Sequence, residues 1–489
     1  MIFDNFKKYF SIIIFFVLPI IIANQYYVDD LGRSTQGYAL WGMDGRPFAD
    51  ILMYIFNMSF RMSDLAPLPL IASSAILAFV LSKYRMEFFG SCKFGFIVPL
   101  SFFANPALIS VFSYRFDVLT FTFAIGCSFL IFVINIKNKA IEFIWGVMLV
   151  CLVMGTYQAI INLVAILIIC EIFKSIYKNK NAFDIFICTI KRAFQVIFGA
   201  LIYLKIVLPL SFSGGHSAHH PEIANNIFDV IASNANDYFN FVSATFFRSN
   251  AANIILSSSV LCIILAFIII FNYRRNNNSG IYFYIVSIIS IVSSALALPL
   301  TMGGLLFLSN SMAGAVHLYM SVSGYMLLLA TLLYYSSGHY KAITLISVIP
   351  LMYVCGLMYS YGNALKSQDF VNKQIAYEIK LATTGYNYDT KYIVFNGTPP
   401  RSQVVKNSII NYPIIDVSVM NYFYNWYWAI SNLSMNGLKQ LYPSAEVTSK
   451  SISSICHSEM IYSNQDFNVY KHGDVIIIDF DKIDCRNNK

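Results

Sequence analysis

Residues 10–33 read FSIIIFFVLPIIIANQYYVDDLGR. The first part, Phe10–Ala23, is almost wholly apolar, and Lys7 and Lys8 stand ahead of it. We read a first transmembrane helix from about Phe6 to Tyr26, uncleaved, because no small-x-small site follows the apolar core. Asp29, Asp30 and Arg33 then fall just beyond its end, at the depth of lipid phosphates rather than hydrocarbon. The fold therefore has to bring a substrate with a polar head to a membrane surface.

The rest of the chain agrees with a membrane setting. Of 489 residues, 57% are hydrophobic and only 12% charged, about half the charge of a soluble protein. Apolar runs of spanning length recur near 63–82, 94–110, 118–136, 141–173, 193–210, 254–272, 282–300, 316–335 and 342–361. The run 141–173 would be about 50 Å long as one helix, against a hydrocarbon core of about 30 Å. It is read as two helices broken at Gly155-Thr156-Tyr157-Gln158, which gives about eleven spans. The expected fold class is thus a polytopic α-helical membrane protein with a small C-terminal α/β domain. Domain limits are set at 1–361 for the membrane part and 362–489 for the rest.

Charge sets the orientation. The loops on the side of Lys7 and Lys8 hold 15 Lys and Arg, and the loops on the other side hold five. By the positive-inside rule the N-terminus is cytoplasmic, and an odd number of spans puts the C-terminus outside. The formal charge of +8 is explained this way, and no nucleic-acid partner is expected. The five outer cations are Arg33, Arg46, Arg61, Arg115 and Arg248, with no lysine among them. Arginine grips phosphate oxygens at two points and stays charged. For Arg61 and Arg248, binding of lipid headgroups is the simpler alternative.

Two outer loops are long, 24–63 and 211–253. Within the first, Gly45-Arg46-Pro47 precedes an amphipathic stretch, Phe48 to Arg61, with Asp50, Tyr54, Asn57 and Arg61 on one face. It reads as a helix lying in the membrane interface, the alternative being a buried core helix. The turn Tyr114-Arg115-Phe116-Asp117 brings a further arginine and acid to the same depth. In the second loop His216, His219 and His220, spaced by one to four with no nearby Cys, are weak evidence for a metal. His317 is read as a hydrogen-bond donor to a phosphate or as a hydrogen-bonded packing residue.

Beyond residue 361 the composition changes: residues 362–489 carry 12 of the 33 basic and 11 of the 25 acidic residues. Lys391–Gly397 and Val475–Asp479 read as buried strands and Asp369–Leu381 as a helix. Cys456 and Cys485 are the only two of the nine cysteines in this polar region. A disulfide between them is expected where this region faces an oxidising compartment, the alternative being two free thiols.

The chemistry rests on the acid pair. A carboxylate there can act as general base, taking the proton of an attacking hydroxyl. Nearby arginines can stabilise a leaving phosphate. Helix capping or an ion pair with Arg33 is the plainer reading of the same residues. No Walker A loop or Rossmann fingerprint accompanies them, so a cytosolic nucleotide reaction finds no support.

Asp29-Asp30-Leu31-Gly32-Arg33, Gly45-Arg46-Pro47 and Tyr114-Arg115-Phe116-Asp117 resemble the bacteriophage-type O-antigen glucosyltransferases that convert serotype. The resemblance implies a GT-C fold and inverting transfer of glucose from undecaprenyl-phosphate-glucose to a sugar of lipid-linked O-antigen. It implies action at the periplasmic face of the bacterial inner membrane, without cofactor or metal, beside a separate flippase and a polyprenyl-phosphate glucosyltransferase. Asp29 and Asp30 are then the catalytic candidates, with Asp30 favoured as base. Arg33, Arg46, Arg115 and His317 would bind the donor phosphate. Asp117, Tyr157 and Gln158 would position substrate, and the C-terminal domain would bind the acceptor. Two other readings remain: an O-antigen polymerase or ligase, and a transporter or flippase for a lipid-linked sugar.

Overall fold

The computed structural model describes residues 2–212, 223–247, 250–276, 280–386 and 389–485. His216, His219, His220 and Arg248 lie outside these. The chain divides into two compact units. One comprises residues Met1–Ile21 and Ala39–Tyr359, the other Ile22–Tyr38 and Ser360–Lys489. The first loop, grouped with the membrane part on sequence, thus splits: its Asp29–Arg33 portion belongs to the unit that contains the C-terminal residues.

Among the described residues of the chain, nine helices are long and apolar enough to cross a membrane, beginning with α1 (Ile2–Ala23). Several carry apolar side chains on their outer surface, such as Leu256, Phe267, Phe271 and Ile288. Such residues are stable facing hydrocarbon and costly facing water. Two further expected spans are shorter, Phe94–Phe103 and Asp117–Val133. The break expected within 141–173 falls at Tyr157, which is extended (φ −157°) between helices Lys139–Thr156 and Ile161–Tyr177, the latter entered through a short 3-10 turn.

Several expectations about element limits change. The stretch 94–110 is not one helix. It is a series of short turns followed by a helix over Leu108–Ser113. Pro106 lacks an N–H and restrains Asn105 before it, and Asn105 Nδ2 instead donates to Tyr319 O at 2.9 Å. The helix expected from Ala193 begins at Ala182, capped by Asn181. Lys191 and Arg192, read as loop cations, therefore sit on a helix. They are stabilised there by Glu142 and Glu171 at 2.6 and 2.8 Å. The amphipathic helix α3 is shorter than expected, Pro47–Asn57. Ile51 and Ile55 are its exposed apolar residues, and Ala49 and Met53 are buried. The loop 211–253 contains a helix, Ile227–Val242.

The second unit is built on a four-stranded sheet in the order β1-β4-β3-β2. β1 (Tyr392–Asn396) and β4 (Val475–Asp479) are parallel, whereas β3 (Asn468–His472) runs antiparallel to β4 and to β2 (Glu459–Ser463). Alternation along the strands serves both faces. Ile393, Phe395, Ile476 and Ile478 pack with Ile375, Ala376 and Ile379 of the helix before the sheet. Val394, Val475 and Ile477 pack on the other side with Ile455 and Cys485. Cys485 is joined to Cys456, with Cα atoms 5.2 Å apart, which ties the chain end to this second face. Asp369–Leu381 is helical, but as part of one helix over Val348–Thr383. Gly362 costs a helix only about 1 kcal/mol and does not end it.

Candidate active site

The acid pair lies at the start of a short helix, α2 (Asp30–Gln36). The chain reaches it through Val28 at φ 49°. A β-branched residue in the left-handed region is a true outlier, and such strain persists only where neighbours over-determine it. The neighbours are visible. Tyr27 N donates to Asp30 Oδ2 at 3.1 Å, and Tyr422 Oη donates to Tyr26 O at 2.9 Å. Asp30 is fully buried. Its carboxylate holds the turn from inside.

Asp29 is placed differently. Its side chain is 40% exposed and sits 3.9 Å from Arg33, which is itself 5% exposed. The Arg33 guanidinium lies over the Tyr38 ring, 5.5 Å from its centre. The Tyr424 hydroxyl is pushed up in pKa by burial and then by the Asp29 charge, and stays a donor at neutral pH. Gly32 supports the arrangement: the Tyr38 and Tyr427 hydroxyls occupy the space a Cβ would need.

A second polar cluster lies in the other unit. Gly42–Asp44 forms a 3-10 turn, and Gly45 closes it in the left-handed region at φ 77°. A Cβ at Gly45 would also lie 2.9 Å from Tyr203 Oη. Arg46 follows as the residue before α3, and Pro47 is well suited to the helix's first turn. The Gly-Arg-Pro motif is thus a fixed corner that aims Arg46. That guanidinium bonds Asp44 at 2.8 Å and lies 4.0 Å from Asp117. Burial works to lower its pKa, but Asp117 and Asp44 outweigh this and raise it. Trp41 Nε1 donates to Asp117 Oδ1 at 2.6 Å, and Asp50 accepts from Trp41 N and Gly42 N.

The remaining expected residues of this unit fall around that corner. Gln158 Nε2 donates to Asp44 O at 3.2 Å and to Tyr203 Oη at 2.9 Å. Arg46 stands over the Tyr157 ring at 5.7 Å, and Tyr157 lies within ring contact of His317. Tyr114 Oη is 3.4 Å from His317 Nδ1. Arg115 is paired with Asp64 instead. The structure therefore brings Arg46, Asp117, Tyr157, Gln158 and His317 together and gives Arg115 a separate partner.

Sequence reasoning missed Trp41, Asp44, Asp64 and Tyr203 here, and Tyr38, Tyr422, Tyr424 and Tyr427 around the acid pair. One signal was present for the latter group. Residues 421–428 read NYFYNWYW, an unusually aromatic run in an otherwise polar region.

Long apolar helices, a buried arginine–carboxylate corner and an exposed acid beside an arginine define a polytopic helical membrane protein equipped for polar chemistry. Residues 18–361 match the family described as Glucosyl transferase GtrII, and the chain belongs to that family. It is 27% identical over 433 residues to an uncharacterized 55.3 kDa protein in the gtrB 5'region of Salmonella phage P22, covering 86% of this chain and 87% of that protein. No solved structure matches the chain. The resemblance to the phage glucosyltransferases read from the motifs holds.

Proposed function

We propose that the protein transfers glucose, with inversion, from undecaprenyl-phosphate-glucose to a sugar of lipid-linked O-antigen. We place this reaction in a GT-C fold at the periplasmic face of the inner membrane. Membership of the GtrII glucosyltransferase family supports the reaction class. The observation that carries the assignment of roles is the unequal burial of the two acids.

Asp29 is the base in this reading, and the preference for Asp30 is reversed. A hydroxyl must reach its base within hydrogen-bond distance, and the Asp30 carboxylate is buried and bonded to its own turn. Asp29 takes the proton of the acceptor hydroxyl. The freed oxygen pair forms the bond to the anomeric carbon. The bond from that carbon to the phosphate oxygen breaks, and its electron pair leaves with the phosphate. A singly charged lipid phosphodiester becomes a monoester with more negative charge, which arginines stabilise as it develops. Arg33 is one such group. Arg46, Arg115 and His317 are assigned the same task, and Asp117, Tyr157 and Gln158 keep Arg46 and the rings beside it in place. A guanidinium has five N–H donors, so Arg46 retains donors beyond those used by its carboxylates.

The test is reconstitution of the purified protein with synthetic polyprenyl-phosphate glucose and lipid-linked O-antigen, read by mass and linkage analysis of the glycan. The expected result is an added hexose at one linkage, with release of polyprenyl phosphate. Movement of the donor lipid across the bilayer without any new linkage would refute the reading in favour of a flippase.

A further inference from the structure

The unit that contains Asp29 also contains a cavity of about 220 Å³ that the transfer step does not use. This volume suits one pyranose ring and falls short of the ~300 Å³ at which drug-sized pockets begin. Its wall includes Tyr26 and Leu31 of the first loop, so it borders the acid pair along the chain.

Most of the uncharged polar groups in the lining are amides, from Asn24, Gln25, Gln368, Asn372, Asn432 and Asn436, set among apolar and aromatic side chains such as Leu365, Met420 and Tyr422. One amide presents both a donor and an acceptor, as one sugar hydroxyl does. Two of these amides have hydrogen-bonding capacity left over. Asn432 Nδ2 is buried and has no hydrogen-bond partner among the described residues. A buried donor in that state is costly and calls for an explanation. Gln368 is fully engaged: it accepts from Ser402 N at 2.9 Å, and it donates to Pro400 O at 3.2 Å and to Asn372 Oδ1 at 3.0 Å. It thereby fixes Asn372 by the oxygen and leaves that residue's Nδ2 for a ligand. The two charges in the wall cancel, since Lys373 pairs with Asp369 at 2.6 Å. Nothing in this lining favours a phosphate or a carboxylate.

We propose that this cavity is a glycan subsite that holds one neutral hexose unit of the acceptor, hydrogen-bonded by Asn372 and Asn432. That the hexose belongs to the acceptor rests on the transferase reading above. The preference for a neutral sugar rests on the lining alone.

The experiment is saturation-transfer NMR on the full-length protein in nanodiscs, with methyl glucoside, galactoside, mannoside and rhamnoside as probes. Glucose 6-phosphate and glucuronate are the charged controls. Transfer to at least one neutral glycoside is expected, with the charged sugars bound about tenfold more weakly or not at all. Asn432→Leu and Asn372→Leu should each weaken binding about tenfold, the loss of one hydrogen bond. The same variants should raise the KM for acceptor and leave the KM for donor unchanged. No transfer to any neutral glycoside overturns the proposal without recourse to a variant. So do equal binding of the charged sugars and unchanged affinity in both variants. The base assignment fails separately: full turnover in Asp29→Asn, together with lost sugar binding in Asn432→Leu, would remove the base and leave the subsite standing.

Discussion

Two of the protein's acid–arginine groups are built in opposite ways. At Asp44, Arg46 and Asp117 every charged side chain is at most 14% exposed, and Trp41 and Arg46 close around the Asp117 carboxylate. At Asp29 the carboxylate is 40% exposed and 3.9 Å from its arginine, while its neighbour Asp30 is sealed in. A buried acid held between an arginine and an indole N–H serves to position them. A partly exposed acid held by a strained turn is available for proton transfer. Burial is what separates them.

The largest effect should come from the exposed acid. Asp29→Asn should lower kcat by about 10²- to 10⁴-fold, the usual contribution of a general base, with expression and melting temperature unchanged. Turnover of the polyprenyl-phosphate glucose donor measures it, and undiminished activity would end the contrast drawn here. Asp117→Ala should do the reverse. Removing one partner of a buried pair costs about 3–5 kcal/mol, seen as a lower melting temperature in detergent before any specific loss of turnover.

Reduction of the disulfide, or Cys456→Ser with Cys485→Ser, should destabilise the C-terminal unit by about 2–4 kcal/mol, since the bridge spans 29 residues. Denaturation monitored at Trp426 and Trp428 would report it. A smaller effect, about 1–3 kcal/mol, is expected for Gly32→Ala, because an added methyl must displace the Tyr38 and Tyr427 hydroxyls. If that variant also loses kcat at constant acceptor KM, those tyrosines help to set the position of Asp29.

What was legible in the sequence was local. Apolar length gave the helices, a 33-residue run too long for a bilayer gave the break at Tyr157, and β4 announced itself as four consecutive branched residues. Gly45-Arg46-Pro47 stood out before its geometry was known, because proline suits a helix's first turn and the trio matches the resembled family; the left-handed corner at Gly45 is what the structure adds. What stayed hidden depends on distant pairing. Trp41 meets Asp117 across 76 residues, and nothing near either one marks the other. β2 carries Glu459 and Ser463 at its ends and is largely exposed, as suits an edge strand. It therefore lacks the apolar alternation that would have revealed it. The two aspartates were found, but the difference in their burial was not. Which one is buried is decided by Tyr422 and its neighbours, far along the chain.

That last pairing has a consequence in time. Tyr26 accepts its hydrogen bond from a tyrosine 396 residues later. At a synthesis rate of about 5–20 residues per second, the acid-bearing turn is made roughly 20–80 s before that partner exists. Until then nothing from the tyrosine run holds Val28 in its unfavourable conformation. The nascent chain therefore carries its two aspartates for most of its synthesis before the turn that buries one of them can form.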